Sequence, residues 1–137
     1  MPDADHDDLD VVRGFFESFN RGEIAKSREY LADDVVYEGP RVPEIWWAKG
    51  EILGGDNIVK EMIDDIGDYF EHLEVVIESL YRCGSWVVLI ARHDGVTRSG
   101  VRFDSPLVQI YTVENGKAIR LQDFPDTDSW LSKVVNQ

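Results

Sequence analysis

Arg92 and Asp94 stand two residues apart near the end of the most apolar run in the chain, Trp86-Val-Val-Leu-Ile-Ala-Arg-His-Asp94, and Asp123 ends a shorter run downstream. In a strand, side chains two apart share a face, so Trp86, Val88, Ile90, Arg92 and Asp94 are expected to point one way. In Lys117-Ala-Ile-Arg-Leu-Gln-Asp123 the same rule groups Ile119, Leu121 and Asp123. Both faces turn from apolar to ionic toward one end. If the two apolar faces line one cavity, an arginine and two carboxylates meet at its floor, where burial without pairing costs several kcal/mol. Groups held in so costly a setting are candidates for chemistry. The pattern marks Arg92, Asp94 and Asp123 as candidate catalytic residues, and Trp86, Val88, Ile90 and Leu121 as candidate pocket wall.

The elements that must position them follow from the hydrophobic periods. Leu9, Val12, Phe16 and Phe19 recur at helical spacing, Phe15 widens the stripe, and Asn20-Arg-Gly22 supplies a stop. A second, shorter helix is predicted over 23–31, then a strand Val35-Val-Tyr-Glu38 broken at Gly39-Pro40. The stretch to Gly55 lacks a period, holds Ile45, Trp46 and Trp47, and reads as a long aromatic loop whose tryptophans form a pocket mouth. Asp56 is the expected N-cap of a helix carrying Ile58, Val59, Met62, Ile63 and Ile66. From His72 the period changes to two, which predicts strands at 71–82, 85–94, 100–113 and 117–124. Asn115-Gly116 is the strongest hairpin signal, and Pro106 is a candidate bulge. Asp126-Thr-Asp-Ser129 opens a short closing helix with Trp130, Leu131 and Val134. Helices first and an antiparallel meander after predict a single α+β domain over 1–137, in which a curved sheet wraps around N-terminal helices as a cone with an apolar interior. Residues 1–7 read as a flexible acidic tail.

Composition narrows the ligand. A formal charge of −13 disfavours nucleic acid and anionic membrane surfaces, because both are held by lysine and arginine, and favours a small apolar molecule. With 43% hydrophobic residues, 30% charged residues and no run near the roughly 20 apolar residues that cross a bilayer, the chain reads as cytoplasmic. The sole cysteine, Cys83, sits in a predicted turn with no histidine near in sequence, which fits a reducing compartment and an incidental role. His6, His72 and His93 show no metal-ligand spacing, so neither a metal nor another cofactor is expected. His93 falls on the strand face opposite Arg92, toward solvent or a partner. Apolar residues on both faces of 85–94 predict a homodimer formed through the outer face of the sheet.

The order of elements resembles the nuclear transport factor 2-like (NTF2-like, cystatin-like α+β barrel) superfamily, including its SnoaL-like members. The matching segments are Phe19-Asn-Arg-Gly22, Leu31-Ala-Asp-Asp34, Gly54-Gly-Asp56 and the final meander. Within that superfamily Arg92-His-Asp94, Asp123-Phe-Pro-Asp126 and Tyr37 resemble the motifs of limonene-epoxide hydrolases. That resemblance implies Asp123 as base toward a water, Asp94 as the acid that protonates the epoxide oxygen, Arg92 bridging the two and Tyr37 holding the water. The family's second water ligand, an asparagine, is Gly39 here, and its preferred tryptophan is Leu121. Ketosteroid isomerases of this fold place their base where Gly39 stands and an oxyanion-hole tyrosine near Phe15, so both groups are replaced. SnoaL-like polyketide cyclases use a late-strand aspartate as acid/base, a role that suits Asp123. A noncatalytic ligand-binding module on the same fold is the alternative from a different class.

Overall fold

A computed structural model describes residues 3–136, with side chains from Asp8 onward. Helix α1 (Asp3–Asn20) leads into the short α2 (Ile24–Arg28), then strands β1 (Leu31–Arg41) and β2 (Lys49–Leu53). Helix α3 (Gly55–Ile58) widens into a π turn at Val59–Ile63 and is followed by α4 (Ile66–Tyr69). Strands β3 (Phe70–Cys83), β4 (Trp86–Thr97), β5 (Arg102–Glu114) and β6 (Lys117–Pro125) follow, and α5 (Thr127–Trp130) with a π turn at Leu131–Val135 closes the described chain. The strands form one curved, unclosed sheet in the order β2-β1-β6-β5-β4-β3, antiparallel throughout except for the parallel pair β1–β6.

Several expectations change. Strand β1 continues through Gly39-Pro40, and the loop that follows contains β2, which pairs Ile52 with Tyr37. Only Ile52 of β2 is buried, so this five-residue edge strand carries no alternation that a sequence pattern could register. Gly54, at φ 94°, occupies the N-cap position expected of Asp56, while Asp56 and Asp33 both hold the Arg28 guanidinium. A Cβ at Gly55 would run into that guanidinium. Pro106 keeps its register opposite Arg92 and lies beyond Leu107, the last β5 residue paired with β6. Strand irregularities fall instead at Ile77/Ser79, where Glu78 is an extra residue of β3, and opposite Thr112/Val113, where Ile119 is an extra residue of β6, and such insertions can bend the sheet. The acidic segment read as a tail continues α1 from Asp3, and Met1 and Pro2 lie outside the described residues.

The largest correction concerns the face of β4. Val87, Leu89 and Ala91 face inward, buried against Val12, Phe15 and Phe16 of α1, whereas Trp86 and Ile90 are 45% and 38% exposed on the outer face. Both parities of this strand are apolar, so hydrophobicity alone does not choose between them. The helix decides by lying across the face with the smaller side chains, leaving the bulkier set without cover in the protomer.

Asn20 fastens the end of α1 to β3. Its Nδ2 donates to the Val75 carbonyl and its Oδ1 accepts from the Val75 N–H, both at 2.9 Å. Asn20→Ala is expected to cost about 1–3 kcal/mol in urea unfolding, because two strand groups lose their partner. Asn20→Asp, which keeps an acceptor and loses the donor, should fall between.

Candidate active site

Strand β6 has β1 on one side and β5 on the other, and its inward residues Leu121 and Asp123 are buried. Gln109 stands directly opposite Asp123 in the β5–β6 ladder, and Tyr37 is level with Leu121 in the β1–β6 ladder. Each neighbouring strand delivers one donor: Tyr37 Oη donates to Asp123 Oδ2 at 2.7 Å, and Gln109 Nε2 donates to Oδ1 at 3.0 Å. Tyr111, two residues along the same face of β5, donates from its hydroxyl to Gln109 Oε1 at 2.5 Å. That bond orients the amide so that its nitrogen faces the carboxylate.

Burial raises the Asp123 pKa, and the bonds from Tyr37, Gln109 and the Phe124 backbone partly oppose the rise. Desolvation favours the neutral acid while donors favour the carboxylate. Burial raises the Tyr37 pKa far above its ordinary value, with the Asp123 charge and hydrogen bond adding to it, so Tyr37 stays protonated as a donor. Burial raises the pKa of Tyr111 too, with a further contribution from the Asp123 charge.

Asp123 borders a cavity of about 90 Å³ with aromatic walls. Phe15, Phe16 and Phe19 come from α1, Trp46 and Trp47 from the turn before β2, and Trp130 from α5. Polar groups interrupt this wall at Asp123, Gln109, Tyr111 and His93. Gly39 bears on the same site from β1: a Cβ there would collide with the Tyr37 hydroxyl. The position at which the resemblance called for a water-holding asparagine is kept empty of side chain, and the phenol that reaches Asp123 uses the space.

Of the residues singled out from sequence, Asp123, Leu121, Phe15, Trp46 and Trp47 line the cavity, and Tyr37, which does not line it, joins them through its bond to Asp123. Arg92 and Asp94 do not join them. Both lie on the outer face, where Arg92 Nη1 pairs with Asp104 Oδ2 at 3.0 Å, with Glu78 at 3.6 Å from its Nε, and Asp94 Oδ1 pairs with Arg102 at 3.0 Å. Their expected convergence with Asp123 is corrected by the inverted face of β4, as are the pocket positions expected of Trp86, Val88 and Ile90. The same inversion brings His93 inward, to the cavity wall, against the solvent-facing position expected of it. Its ring packs on Trp130 with centroids 5.3 Å apart, and burial lowers its pKa to about 4, so the imidazole is neutral near pH 7.

Gln109 and Tyr111 were not anticipated. Their signal lies in β5, where the odd positions Phe103, Leu107, Tyr111 and Val113 are apolar or aromatic and buried, so Gln109 is a polar interruption on a core face. Among the described residues, no group of three or more His, Cys, Asp or Glu side chains is placed to hold a metal ion. No helix among them is long and apolar enough to cross a membrane.

A family model described as a SnoaL-like domain matches residues 12–121. Uncharacterised proteins of Mycobacterium tuberculosis and Mycobacterium bovis are 28% identical over 121 residues, which is 88% of this chain and 90% of theirs. Among solved structures, an NTF2-like protein of unknown function from Burkholderia pseudomallei matches with a TM-score of 0.84 at 19% identity, covering 96% of this chain and 98% of that one. A putative isomerase from Bacillus subtilis matches at 0.81 and 18% identity, covering 93% and 92%. An LEH-like epoxide hydrolase from M. tuberculosis matches at 0.73 and 18% identity, covering 90% and 86%. At such identities the structural likenesses carry the fold and not a reaction. With the family match spanning most of the sheet and the helix packed on it, the chain belongs to the SnoaL-like domain family and has the NTF2-like fold.

Proposed function

We propose that this protein is a cofactor-independent acid/base enzyme acting on a small apolar molecule, with Asp123 as the group that takes and returns the proton. The observation that carries this reading is a buried carboxylate with a raised pKa at the wall of an aromatic cavity, each of its oxygens held by a side-chain donor. Isomerisation or cyclisation suits that arrangement best. Ionised Asp123 removes a proton from carbon beside a carbonyl of the bound molecule and becomes a neutral acid. It then returns the proton at another carbon or to the ring-closed product, so no oxidant or reductant is consumed. A raised pKa makes the carboxylate a stronger base, and the Tyr37 and Gln109 donors keep it ionised while fixing its direction.

Epoxide opening is the second reading, supported by the Asp123–Tyr37 contact and by the fold shared with an LEH-like epoxide hydrolase. In this chain it needs an acid other than Asp94, which pairs with Arg102 on the far face. If the module only binds its ligand, Asp123→Asn changes affinity and no reaction disappears.

We further propose that a second copy of the chain covers the outer face of the sheet. Ile90 lies opposite Val108 and Val108 opposite Phe124, so these exposed residues form a contiguous apolar band. The charges beside the band are matched within the protomer, Arg92 with Asp104, Arg102 with Asp94 and Arg120 with Glu38. Although the chain carries −13 overall, these pairs offset part of the charge on this face, where Glu78 also approaches Arg92 and Glu74 stands opposite Asp94, and so lessen the repulsion that would oppose self-association. The double variant Ile90→Lys, Phe124→Glu should sediment as a monomer at micromolar concentration where the parent sediments as a dimer; a monomeric parent overturns the proposal.

In D2O, small cyclic enones and aromatic ketones should exchange hydrogen beside the carbonyl in the presence of the parent protein and not of Asp123→Asn, as read by NMR. Exchange that persists in the variant, or absence of exchange across the panel, counts against proton abstraction; oxygen-18 incorporation into a diol from epoxides would favour the second reading. The acid limb of kcat/KM should lie above the ordinary carboxylate range near pH 4. Tyr37→Phe deletes a donor that favours the ionised form, so it should move that limb to still higher pH, and Gly39→Ala should do the same by displacing the phenol.

Stability should respond with the opposite sign from activity. Because the folded-state pKa of Asp123 is raised, its contribution favours folding below the unfolded pKa and is lost as pH rises through the folded pKa. The melting temperature of Asp123→Asn relative to the parent should therefore rise between about pH 4 and about pH 8, on top of a pH-independent loss, because the asparagine amide offers one acceptor oxygen to the two donors Tyr37 and Gln109.

A further inference from the structure

A buried carboxylate ordinarily has a cation beside it, and Asp123 has none. The groups that favour its charge are all neutral: the Tyr37 hydroxyl, the Gln109 amide and the Phe124 backbone N–H. Two carboxylate oxygens offer about four lone pairs, so three donors leave acceptor capacity unused. Neither lysine nor arginine lines the cavity, and His93 at its wall is uncharged near pH 7. The arginines of the central strands are engaged on the other side of the sheet, Arg92 with Asp104, Arg102 with Asp94 and Arg120 with Glu38.

The walls decide which cation can supply the missing charge. Of the 17 residues that line the cavity, seven are Phe, Trp or Tyr and seven more are Ile, Leu, Met or Val. Such a surface offers few oxygens to replace the hydration shell of a metal ion. It suits a cation whose charge is carried beneath alkyl groups, because aromatic rings attract the charge and apolar walls accept the alkyl surface. The volume of about 90 Å³ favours a compact head group. A formal charge of −13 draws cations toward the protein and disfavours anions. We infer that the cavity is a binding site for a small alkylammonium ion, with its positive centre against Asp123 and its alkyl groups on the aromatic wall. This goes beyond proton transfer, since it uses the ionised carboxylate as a counter-ion and makes or breaks no bond. A carboxylate paired in this way is a weaker base, so the ammonium ion competes with any molecule that Asp123 deprotonates.

The test compares choline with 3,3-dimethylbutan-1-ol, which has the same shape with carbon in place of the charged nitrogen. In calorimetric titration of the whole protein near neutral pH, with sodium chloride at about physiological strength to screen the surface, choline should bind about tenfold or more tightly than the alcohol. The N-methyl protons of bound choline should show nuclear Overhauser contacts to the ring of Phe16, which lines the cavity and packs on Tyr111 with centroids 6.4 Å apart. Both measurements use the parent protein and need no variant that fails to fold. In Asp123→Asn the two affinities should come within about twofold of each other, whereas Glu51→Gln, which removes one exposed negative charge from β2, should leave the preference in place. Equal affinities in the parent, no choline binding at millimolar concentration, or choline bound without contact to Phe16 overturns the proposal. A preference that survives Asp123→Asn, or one that disappears in Glu51→Gln, overturns it too. Asp123-dependent hydrogen exchange together with any of these failures leaves the acid/base reading standing, whereas choline binding without exchange retains the cation site and removes that reading. Where both hold, choline should inhibit the exchange competitively, and exchange that continues unchanged at saturating choline overturns the cation site.

Discussion

A carboxylate taken out of water has to be met by donors, and in this protein the donors come from both strands that flank it. Asp123 on β6 receives Gln109 from β5 and Tyr37 from β1. That pairing works only in one register: Gln109 is level with Asp123 in the antiparallel ladder, and Tyr37 is level with Leu121, two residues earlier on the same face, in the parallel one. A slip of one residue in either ladder would turn a donor to the outside. Tyr111 then fixes which end of the Gln109 amide faces the acid. Registry of three strands, orientation of one amide and absence of a side chain at position 39 are thus one constraint seen from several places.

The two faces of the sheet divide the charged groups between them. Inside, the ionisable groups are few, enclosed and shifted from their ordinary pKa values, as Asp123 and His93 show. Outside, Arg92, Asp94, Arg102 and Asp104 form paired, partly exposed ions. Such pairs contribute little to stability individually. Here they offset the like charges of Asp94 and Asp104, which stand directly opposite each other in the β4–β5 ladder.

Much of this was legible in the sequence, and the failures have identifiable physical sources. The α1 stripe, the meander and the inward direction of Asp123 follow from periodicity, because in each one face is the more apolar, and the Asn115-Gly116 turn follows from the positive φ that both residues accept. Strand β4 is apolar on both faces, so its parity is undetermined by its own residues and depends on which side α1 covers. Choosing the bulkier set sent Arg92 and Asp94 inward and His93 outward, the reverse of the structure. The parallel contact of β1 with β6 joins segments far apart in the chain and leaves no local mark. Without it, the role of Tyr37 rested on resemblance; with it, the phenol is seen to reach the acid directly. Motifs behind that resemblance also acquire structural explanations, since Asn20 clamps β3 while Asp33 and Asp56 hold Arg28.

Gly39 and Tyr37 claim one volume between them. A protein engineer wishing to install the asparagine of a water-activating site at position 39 would not be adding a ligand to an otherwise intact centre. The new Cβ would evict the phenol from its place beside Asp123, so the graft would remove one support as it introduced another. Conversion between these two layouts is therefore a concerted redesign of β1, in which the strand must shift or the tyrosine must be re-aimed along with the glycine.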